Sequence, residues 1–216
     1  MTVAGRRLLI LGASGRTGRH LVAQAAQRGA TVTALVRDPA RLPPELASCA
    51  RVVQADVGDG EAVARAMVEQ DVVISALGVS RPLHRDPVVV RGIGNVVAAL
   101  QSKGPRRLVY LSATAVWPSR ADASLLVRFF ASTVIRQEIR DHEAKEALVR
   151  GSGLDWTILR APLLTDSAPH GNWRVGAHLP SRGLLPRLPR ADVAAALLDV
   201  ADDDGAARQE LRVLPA

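Results

Sequence analysis

The sequence contains few of the residue types on which several common functional sites depend. Cys49 is the only cysteine among 216 residues, which excludes an internal disulfide and a cysteine-cluster metal site. No apolar run reaches the roughly 18 residues that a membrane span requires. The short apolar run near the N-terminus is typical of a first strand rather than of a signal peptide. We therefore expect a cytoplasmic protein with no membrane segment and no metal.

Aromatic residues are scarce, at 3% of the chain, although the formal net charge is +7. That aromatic content is too low for a base-stacking nucleic-acid platform. The basic residues are almost all arginines, with lysine only at Lys103 and Lys145, and they are spread along the whole chain. We expect no nucleic-acid partner, and the positive charge favours anionic small molecules.

Short apolar runs alternate with helical patterns along most of the chain. Strands are predicted at residues 8–11, 31–36, 51–56, 107–112 and 155–162, and a further strand together with its loop at residues 71–78. Helices are predicted at residues 17–28, 61–68 and 88–103. This alternation predicts an α/β, Rossmann-type, doubly wound parallel sheet with helices on both faces. We expect residues 1–216 to form a single domain, in which residues 162–216 contribute a small C-terminal lobe on the substrate side.

The segment at residues 123–151 is helical by composition and more apolar than a surface helix. It is interpreted as core packing in preference to a lid or a subunit contact. The oligomeric state that we expect is a monomer or a homodimer.

A glycine pattern joins the first predicted strand to the first predicted helix. Gly12, Gly15 and Gly18 follow the spacing G-x-x-G-x-x-G. The first glycine permits a tight turn, the second lets the backbone approach a pyrophosphate, and the third lets the helix pack closely on the strand. The phosphates of a dinucleotide then bind at the positive end of the helix, where three further residues supply donors. These donors are Ser14, Arg16 and Thr17.

The residue at the end of the second strand discriminates between the two nicotinamide dinucleotides. An acidic residue there binds the ribose 2′-hydroxyl of NAD, whereas an arginine favours the 2′-phosphate of NADP. Arg37 occupies this end, Arg41 follows one turn later, and Asp38 is expected to point away. The sequence therefore predicts NADP(H) as the cofactor.

Two further segments follow predicted strands and are expected to complete the adenosine site. Asp56 and Val57 come directly after the third strand and are placed to meet the adenine. Ala76, Leu77 and Gly78 come after the fourth strand and are expected to line the edge of the same site.

The acid–base pair of typical short-chain dehydrogenases is absent. Those enzymes pair a tyrosine with a lysine four residues later, but here Tyr110 is the only tyrosine and residue 114 is threonine. Tyr110 is also predicted to lie inside a strand. Alcohol–ketone redox chemistry and sugar-nucleotide epimerisation, which need a positioned acid–base group, are therefore disfavoured.

The chain contains, almost end to end, the segments "GASGRTG", "VTALVRDPARLP", "DVVISALG", "GNVVAAL", "LVYLSATAVW", "DHEAKEALVRGSGLDWTILRAPLLTD" and "LPRADVAAALL". Their order and spacing give a resemblance to the biliverdin reductase B and flavin reductase group of atypical short-chain dehydrogenases. It implies that Ser112 lies beside the nicotinamide and the substrate, and that His142 flanks the site without being required. It also implies that the loop of Pro162, Leu163 and Leu164 lies against the nicotinamide.

The sequence departs from this group at two places, and both concern the substrate. Leu163 stands where its reductases often have a histidine, and the segment between Trp117 and His142 is longer. Trp117 and Trp173 either line a pocket for a planar ligand or pack in the core.

Two functions of different classes fit these observations. The first is an NADPH-dependent reductase that transfers hydride to a planar acceptor such as a flavin, a quinone or a tetrapyrrole. In such a reductase the cofactor carries the hydride and the protein orients it. The second is a redox sensor of the NmrA-like kind that binds NADP(H) without turnover. A dehydratase or epimerase ranks third.

Overall fold

The computed structural model describes residues 3–78, 87–102, 104–114, 136–180 and 186–216. Ten strands in this part of the chain are β1 (Arg7–Leu11), β2 (Thr31–Val36), β3 (Ala50–Gln54), β4 (Val72–Ser75), β5 (Arg107–Ala113), β6 (Asp155–Ala161), β7 (Leu163–Thr165), β8 (Trp173–Gly176), β9 (Arg187–Pro189) and β10 (Gln209–Pro215). The helices are α1 (Arg16–Gln27), α2 (Pro44–Ala47), α3 (Gly60–Ala66), α4 (Pro87–Ser102), α5 (Arg136–Arg150) and α6 (Arg190–Asp202).

Eight of these strands form one sheet in the order β3-β2-β1-β4-β5-β6-β10-β8. Seven of them are parallel, and β8 pairs antiparallel with β10 at one edge. The chain builds outward from β1 on one side through β2 and β3, and then resumes on the other side with β4. The predicted doubly wound α/β sheet is confirmed, and its strand order reverses between β1 and β4, where such sheets bind ligands.

Helices cover both faces of the sheet, which explains why its central strands are apolar throughout. Leu8, Leu9, Ile10 and Leu11 of β1 are fully buried, two on each side of the strand. One core cluster joins the sheet to α1 and α6, and the other joins it to α3, α4 and α5. A strand that is buried on both faces reads as a continuous apolar run because neither face meets water.

The C-terminal segment 162–216 contributes to two sheets. Strands β7 and β9 form a separate two-stranded parallel sheet, which is the small addition beside the carboxyl ends of the main strands. In contrast to the expectation that the whole segment forms a lobe, β10 and β8 extend the main sheet, and α6 packs against α1. Helix α6 is buried along most of its length because it packs on the sheet and also against α1, β8 and β9.

The predicted helical segment 123–151 is described only from residue 136 onward; residues 123–135 lie outside the described part. The described portion forms α5, whose Val149 is fully buried in the core. Within the described ranges, no helix has the length and apolar character that crossing a bilayer requires.

Candidate functional site

Gly12 and Gly18 permit two close backbone contacts around the turn between β1 and α1. Gly12 has φ +79°, and a Cβ there would lie 2.9 Å from the carbonyl oxygen of Ala76. At Gly18 a Cβ would lie only 2.1 Å from the carbonyl oxygen of Gly12. A side chain at Gly12 would collide with the backbone after β4, and one at Gly18 would push α1 away from the turn. The first and third glycines are therefore required by packing.

Gly15 leaves the N-terminus of α1 open. It is the N-cap residue of the helix, its amide donates to the carbonyl oxygen of Gly12 at 2.9 Å, and no side chain in the described part of the chain caps the first turn there. The amides of a first helical turn have no partner within the helix and carry the positive end of its dipole. This turn is therefore able to bind an anionic group such as a pyrophosphate.

A groove, here called the glycine-loop cavity, runs from this turn along the carboxyl ends of the strands. Ten predicted cofactor residues line it together with three apolar residues that the sequence did not single out. The lining consists of Gly12, Ser14, Gly15, Leu35, Val36, Arg37, Arg41, Asp56, Val57, Ala76, Leu77, Gly78 and Val89.

The end of β2 brings positive charge to this cavity. Arg37 follows the last residue of β2, and Arg41 closes a 3-10 turn that begins at Pro39. The Asp38 carboxylate accepts a hydrogen bond from the Ala40 amide at 3.1 Å, so it caps this turn.

Helix α4 supports the opposite wall of the same cavity. The side-chain amide of Asn95 donates to the carbonyl oxygen of Val57 at 2.9 Å. A Cβ at Gly92 would lie 2.5 Å from a methyl carbon of Val57, so only glycine lets the helix approach. Asn95 and Gly92 were not predicted, because they lie on a helix away from the strand ends.

A second groove, here called the Ser112 cavity, adjoins the first one. Ala76, Leu77 and Gly78 line both, so the two cavities meet along the segment that follows β4. The Ser112 cavity is mostly apolar, and its remaining lining residues are Thr17, Leu111, Ser112, Ala113, His142, Ala161, Pro162 and Leu164.

Ser112 and His142 supply the polar pair of the Ser112 cavity. Their Oγ and Nδ1 atoms lie 3.3 Å apart, and the imidazole tautomer decides which atom donates. Removal of the ring from solvent, helped by the nearby Lys145 ammonium, lowers the pKa of His142 to about 3. The imidazole is therefore neutral near pH 7 and is able to accept or donate a hydrogen bond there.

The tyrosine is not part of this pair. Tyr110 lies inside β5 and is fully buried, and burial raises the pKa of its phenol far above its ordinary value. Its side chain lies on the same face of β5 as Ser112, but deeper in the core, because alternate residues of a strand share a face. Tyr110 is thus unable to serve as the acid of the site.

A buried ion-pair network lies beneath Ser112 and His142. Arg160 of β6 is the register partner of Ser112, and its guanidinium donates to both carboxylate oxygens of Glu146, at 3.0 and 2.7 Å. It also donates to Glu210 at 2.7 Å, and Arg150 contacts both carboxylates. Since Glu146 lies one helical turn after His142, the network holds α5 where the imidazole reaches Ser112.

The β7–β9 sheet is tied to the start of α1 by an ion-pair triad. The Asp166 carboxylate accepts from Arg16 at 2.9 Å and from Arg190 at 2.6 Å. These two arginines hold the pKa of Asp166 below its ordinary value, even though burial opposes them. Arg16 thus contacts the segment after β7 instead of lining either cavity.

Four predicted site residues do not line these cavities. Arg16 contacts Asp166, Gly18 packs α1 on β1, and Leu163 is largely exposed. Trp173 packs on edge strand β8 and lines a different groove beside the C-terminal end of α6. Trp117 lies outside the described residues. In the part of the chain that the structure does describe, no group of His, Cys, Asp or Glu is arranged to hold a metal ion.

Comparison with known families identifies the ligand class of the groove. Residues 12–204 match the NAD(P)H-binding family, which is nearly the whole chain. The chain belongs to that NAD(P)H-binding family. The residues present fit the dinucleotide, because the open amides of α1 and the two arginines after β2 are able to bind its phosphates. The predicted NAD(P)H cofactor is thereby confirmed.

Solved structures similar to this NAD(P)H-binding protein share its fold. A short-chain dehydrogenase/reductase from Veillonella parvula in complex with NADP is 19% identical, with a TM-score of 0.81 and coverage of 96% of this chain and 94% of that one. The anaerobilin reductase ChuY from Escherichia coli O157:H7 is 21% identical, with a TM-score of 0.77 and coverage of 97% of both chains. These structures confirm the fold that the resemblance to atypical short-chain dehydrogenases implies, and the family match confirms NAD(P)H binding.

A relative of higher sequence identity comes from Streptomyces. A 3-diazoavenalumate denitrifying reductase is 38% identical over 114 residues, which are 48% of this chain and 36% of that protein. The chain therefore spans about a third of the length of this curated relative.

Proposed function

We propose that the protein is an NADPH-dependent reductase that transfers hydride to a planar acceptor such as a flavin, a quinone or a tetrapyrrole. The observation that carries this proposal is the junction of the two cavities at Ala76, Leu77 and Gly78. A dinucleotide whose phosphates lie at α1 extends through this junction and presents its nicotinamide to the Ser112 cavity. The names of the Streptomyces reductase and of ChuY support reduction as the reaction class.

The side chains of the Ser112 cavity suit an acceptor that needs orientation more than acid–base catalysis. The bound dinucleotide supplies the hydride, so the protein has to hold the acceptor flat and exclude water from it. Leu111, Ala161, Pro162 and Leu164 provide apolar surface for a ring system. The Ser112 hydroxyl is placed to hydrogen-bond one polar atom of the acceptor, and solvent supplies the proton that follows the hydride.

The proposed preference for NADPH over NADH depends on Arg37 and Arg41. Both line the glycine-loop cavity at the end of β2, where a ribose 2′-phosphate is bound in proteins of this fold. Arginine suits this ligand because its planar fork donates two hydrogen bonds to one phosphate.

The test is anaerobic consumption of NADPH in the presence of FMN, a soluble quinone or biliverdin, each offered separately. Anaerobic conditions prevent reoxidation of the reduced acceptor from inflating the rate. We expect consumption with at least one acceptor, and a slower rate with NADH at equal concentration. If calorimetry shows NADP(H) binding but no acceptor is reduced above the protein-free background, the proposed reductase is contradicted and the redox sensor becomes the favoured function.

A further inference from the structure

Arg19 connects the glycine loop to the turn that follows β2, and both of these line the glycine-loop cavity although Arg19 does not. It lies in the first turn of α1, directly after Gly18, and its side chain is exposed. Its Nε donates to the carbonyl oxygen of Ser14 at 3.1 Å, and one terminal nitrogen donates to the carbonyl oxygen of Arg41 at 2.8 Å. Ser14 belongs to the glycine loop, whereas Arg41 belongs to the turn that follows β2.

The other hydrogen bonds of the turn determine its shape. The amide of Arg41 donates to the carbonyl oxygen of Asp38 at 3.2 Å, and the amide of Leu42 donates to that of Pro39 at 3.0 Å. These bonds close the turn on itself. The Arg19 bridge, in contrast, sets the distance between the turn and the glycine loop.

A guanidinium group suits this role because of its geometry. Two donors on one planar edge hold two carbonyl oxygens at a fixed separation, which the single flexible ammonium of lysine does not do. The bridge therefore fixes the backbone of Arg41 relative to the amides that bind the pyrophosphate. The 2′-phosphate and the pyrophosphate belong to one ligand, so the distance between their two sites matters for affinity.

We propose that Arg19 is a positioning residue for NADP(H) selectivity, which holds the Arg37–Arg41 turn at the distance from the glycine loop that a 2′-phosphate dinucleotide requires. This inference rests on the proposed preference for NADP(H), but not on reductase turnover. Its consequence is that loss of the bridge weakens binding of NADP⁺ more than that of NAD⁺.

The first experiment compares Arg19→Met with the wild type by calorimetry with NADP⁺ and NAD⁺. Methionine keeps an unbranched stem and removes the donors. We expect the Kd for NADP⁺ to rise about three- to tenfold, the range that one or two net hydrogen bonds are worth, and the Kd for NAD⁺ to change less than about twofold. Arg19→Lys should recover only part of the loss. Arg65→Met, on the exposed surface of α3, is the matched control and should bind as the wild type does.

The second experiment separates positioning from direct contact with the phosphate. Arg19→Met is added to an Arg37→Ala, Arg41→Ala variant, and the Kd for NADP⁺ is measured again. If Arg19 acts through the turn, the added change should alter the Kd by less than about twofold, since the groups that it positions are gone. Full additivity would instead assign Arg19 a contact with the phosphate.

The remaining outcomes also decide between the inference and the proposed function. If the wild type prefers NADP⁺ and the Arg19→Met variant keeps the whole preference, the role of Arg19 is overturned but the NADP(H) preference stands. A wild type that binds both dinucleotides equally refutes the NADP(H) preference and this role with it. The melting temperature and circular dichroism of each variant establish that any loss of affinity occurs in folded protein.

Discussion

The hydroxyl of Ser112 and the imidazole of His142 face each other across 3.3 Å, and neither group is charged near pH 7. A neutral pair in an apolar cavity is able to orient an acceptor by hydrogen bonding, but it brings no strong acid to the reaction. Reduction of a conjugated ring by hydride needs no such acid at the moment of transfer. The pair therefore fits the proposed reductase better than an enzyme that acts on alcohols or ketones.

We expect that Ser112→Ala slows hydride transfer to FMN by about two- to tenfold. The variant loses one neutral hydrogen bond, which is worth roughly 0.5–1.5 kcal/mol, and this energy corresponds to that factor in rate. His142→Ala should cost less, because it removes a contact to Ser112 and not to the acceptor. Stopped-flow measurement of NADPH oxidation under single-turnover conditions gives both rates. The affinity for NADP⁺ should stay within about twofold in each variant and serves as the control.

Two results would contradict this interpretation of the pair. A loss of several orders of magnitude in either variant would make that residue an obligate acid or base. The pH profile provides the other check: because the pKa of His142 is lowered to about 3, the wild-type rate should show no inflection near pH 6.5. An inflection there that disappears in His142→Ala would mean that the imidazole titrates in the working range.

Arg37 carries the prediction on cofactor choice. A charge-assisted hydrogen bond to a phosphate is worth roughly 1.5–3 kcal/mol, which corresponds to about ten- to hundredfold in affinity. Calorimetry should therefore show tighter binding of NADP⁺ than of NAD⁺, and Arg37→Ala should remove most of the difference. The variant should retain its affinity for NAD⁺, which lacks the phosphate. Equal affinity of the wild type for both dinucleotides would refute the assignment.

The sequence predicted the polar and glycine residues that line the two cavities better than the apolar residues that line them. Gly12, Arg37 and Asp56 stand at strand ends, where spacing alone assigns them a place beside the ligand. Leu35, Leu111 and Ala161 also line the cavities, but an apolar residue in a strand looks the same whether it faces a ligand or the core. For Trp173 the sequence left two possibilities, a pocket for a planar ligand or packing in the core. Its aromatic ring does not indicate which edge of the sheet its strand joins, and that edge decides between the two.

Among the elements, α1 and its glycine loop have the most restricted geometry. Gly18 and Gly12 are fixed by contacts within the protein, whereas a Cβ at Gly15 would approach only the carbonyl oxygen of Gly12, at 3.1 Å, among the described atoms. This contact is tight but longer than those at Gly12 and Gly18, so we expect the ligand to add a second reason for glycine at this position. The three positions of this one motif thus require glycine for different physical reasons.

We expect that Gly15→Val abolishes binding of both NADP⁺ and NAD⁺ and leaves the fold intact. The added methyl groups would fill the space that the pyrophosphate needs at the open end of α1. Calorimetry with each dinucleotide, together with circular dichroism, measures the two properties. Gly94→Val is a suitable comparison, because Gly94 lies on α4 and a Cβ there meets no described atom within 4 Å. Retained nucleotide binding in a folded Gly15→Val protein would exclude the proposed pyrophosphate site.

Helix α5 contains a buried ion-pair network that its sequence pattern does not reveal. Its charged stretch around Glu146 is typical of a solvent-exposed helix, yet Glu146 is fully buried in contact with Arg160 and Arg150. Such a network depends on which strands lie under the helix, and that is decided by long-range pairing of β6 with β5 and β10. Breaking one buried partner leaves the other charge without compensation, so the network is a strong constraint on where α5 lies.

Across the whole molecule, the order of the elements was predictable, but the place of the last quarter of the chain in the fold was not. Alternating strands and helices indicate parallel pairing, because each crossover returns the chain in the same direction. After Pro162, strands β7, β8 and β9 have only three or four residues each, and no local signal shows that β10 inserts between β6 and β8. The triad of Arg16, Asp166 and Arg190 then links this late segment to the first helix, a contact across about 150 residues.

The net charge of +7 belongs to the molecule as a whole and makes a prediction about how fast the dinucleotide binds. A positive surface attracts an anionic ligand over distances comparable to the Debye length, which shrinks from about 30 Å at 0.01 M salt to about 10 Å at 0.1 M. We expect the association rate constant of NADP⁺ to fall at least about threefold over this range, and the dissociation rate constant to change less. NAD⁺ carries less negative charge, so its association rate should fall less. Stopped-flow binding at several salt concentrations measures both rates, and an association rate for NADP⁺ that is independent of salt would show that the excess charge does not act on the ligand.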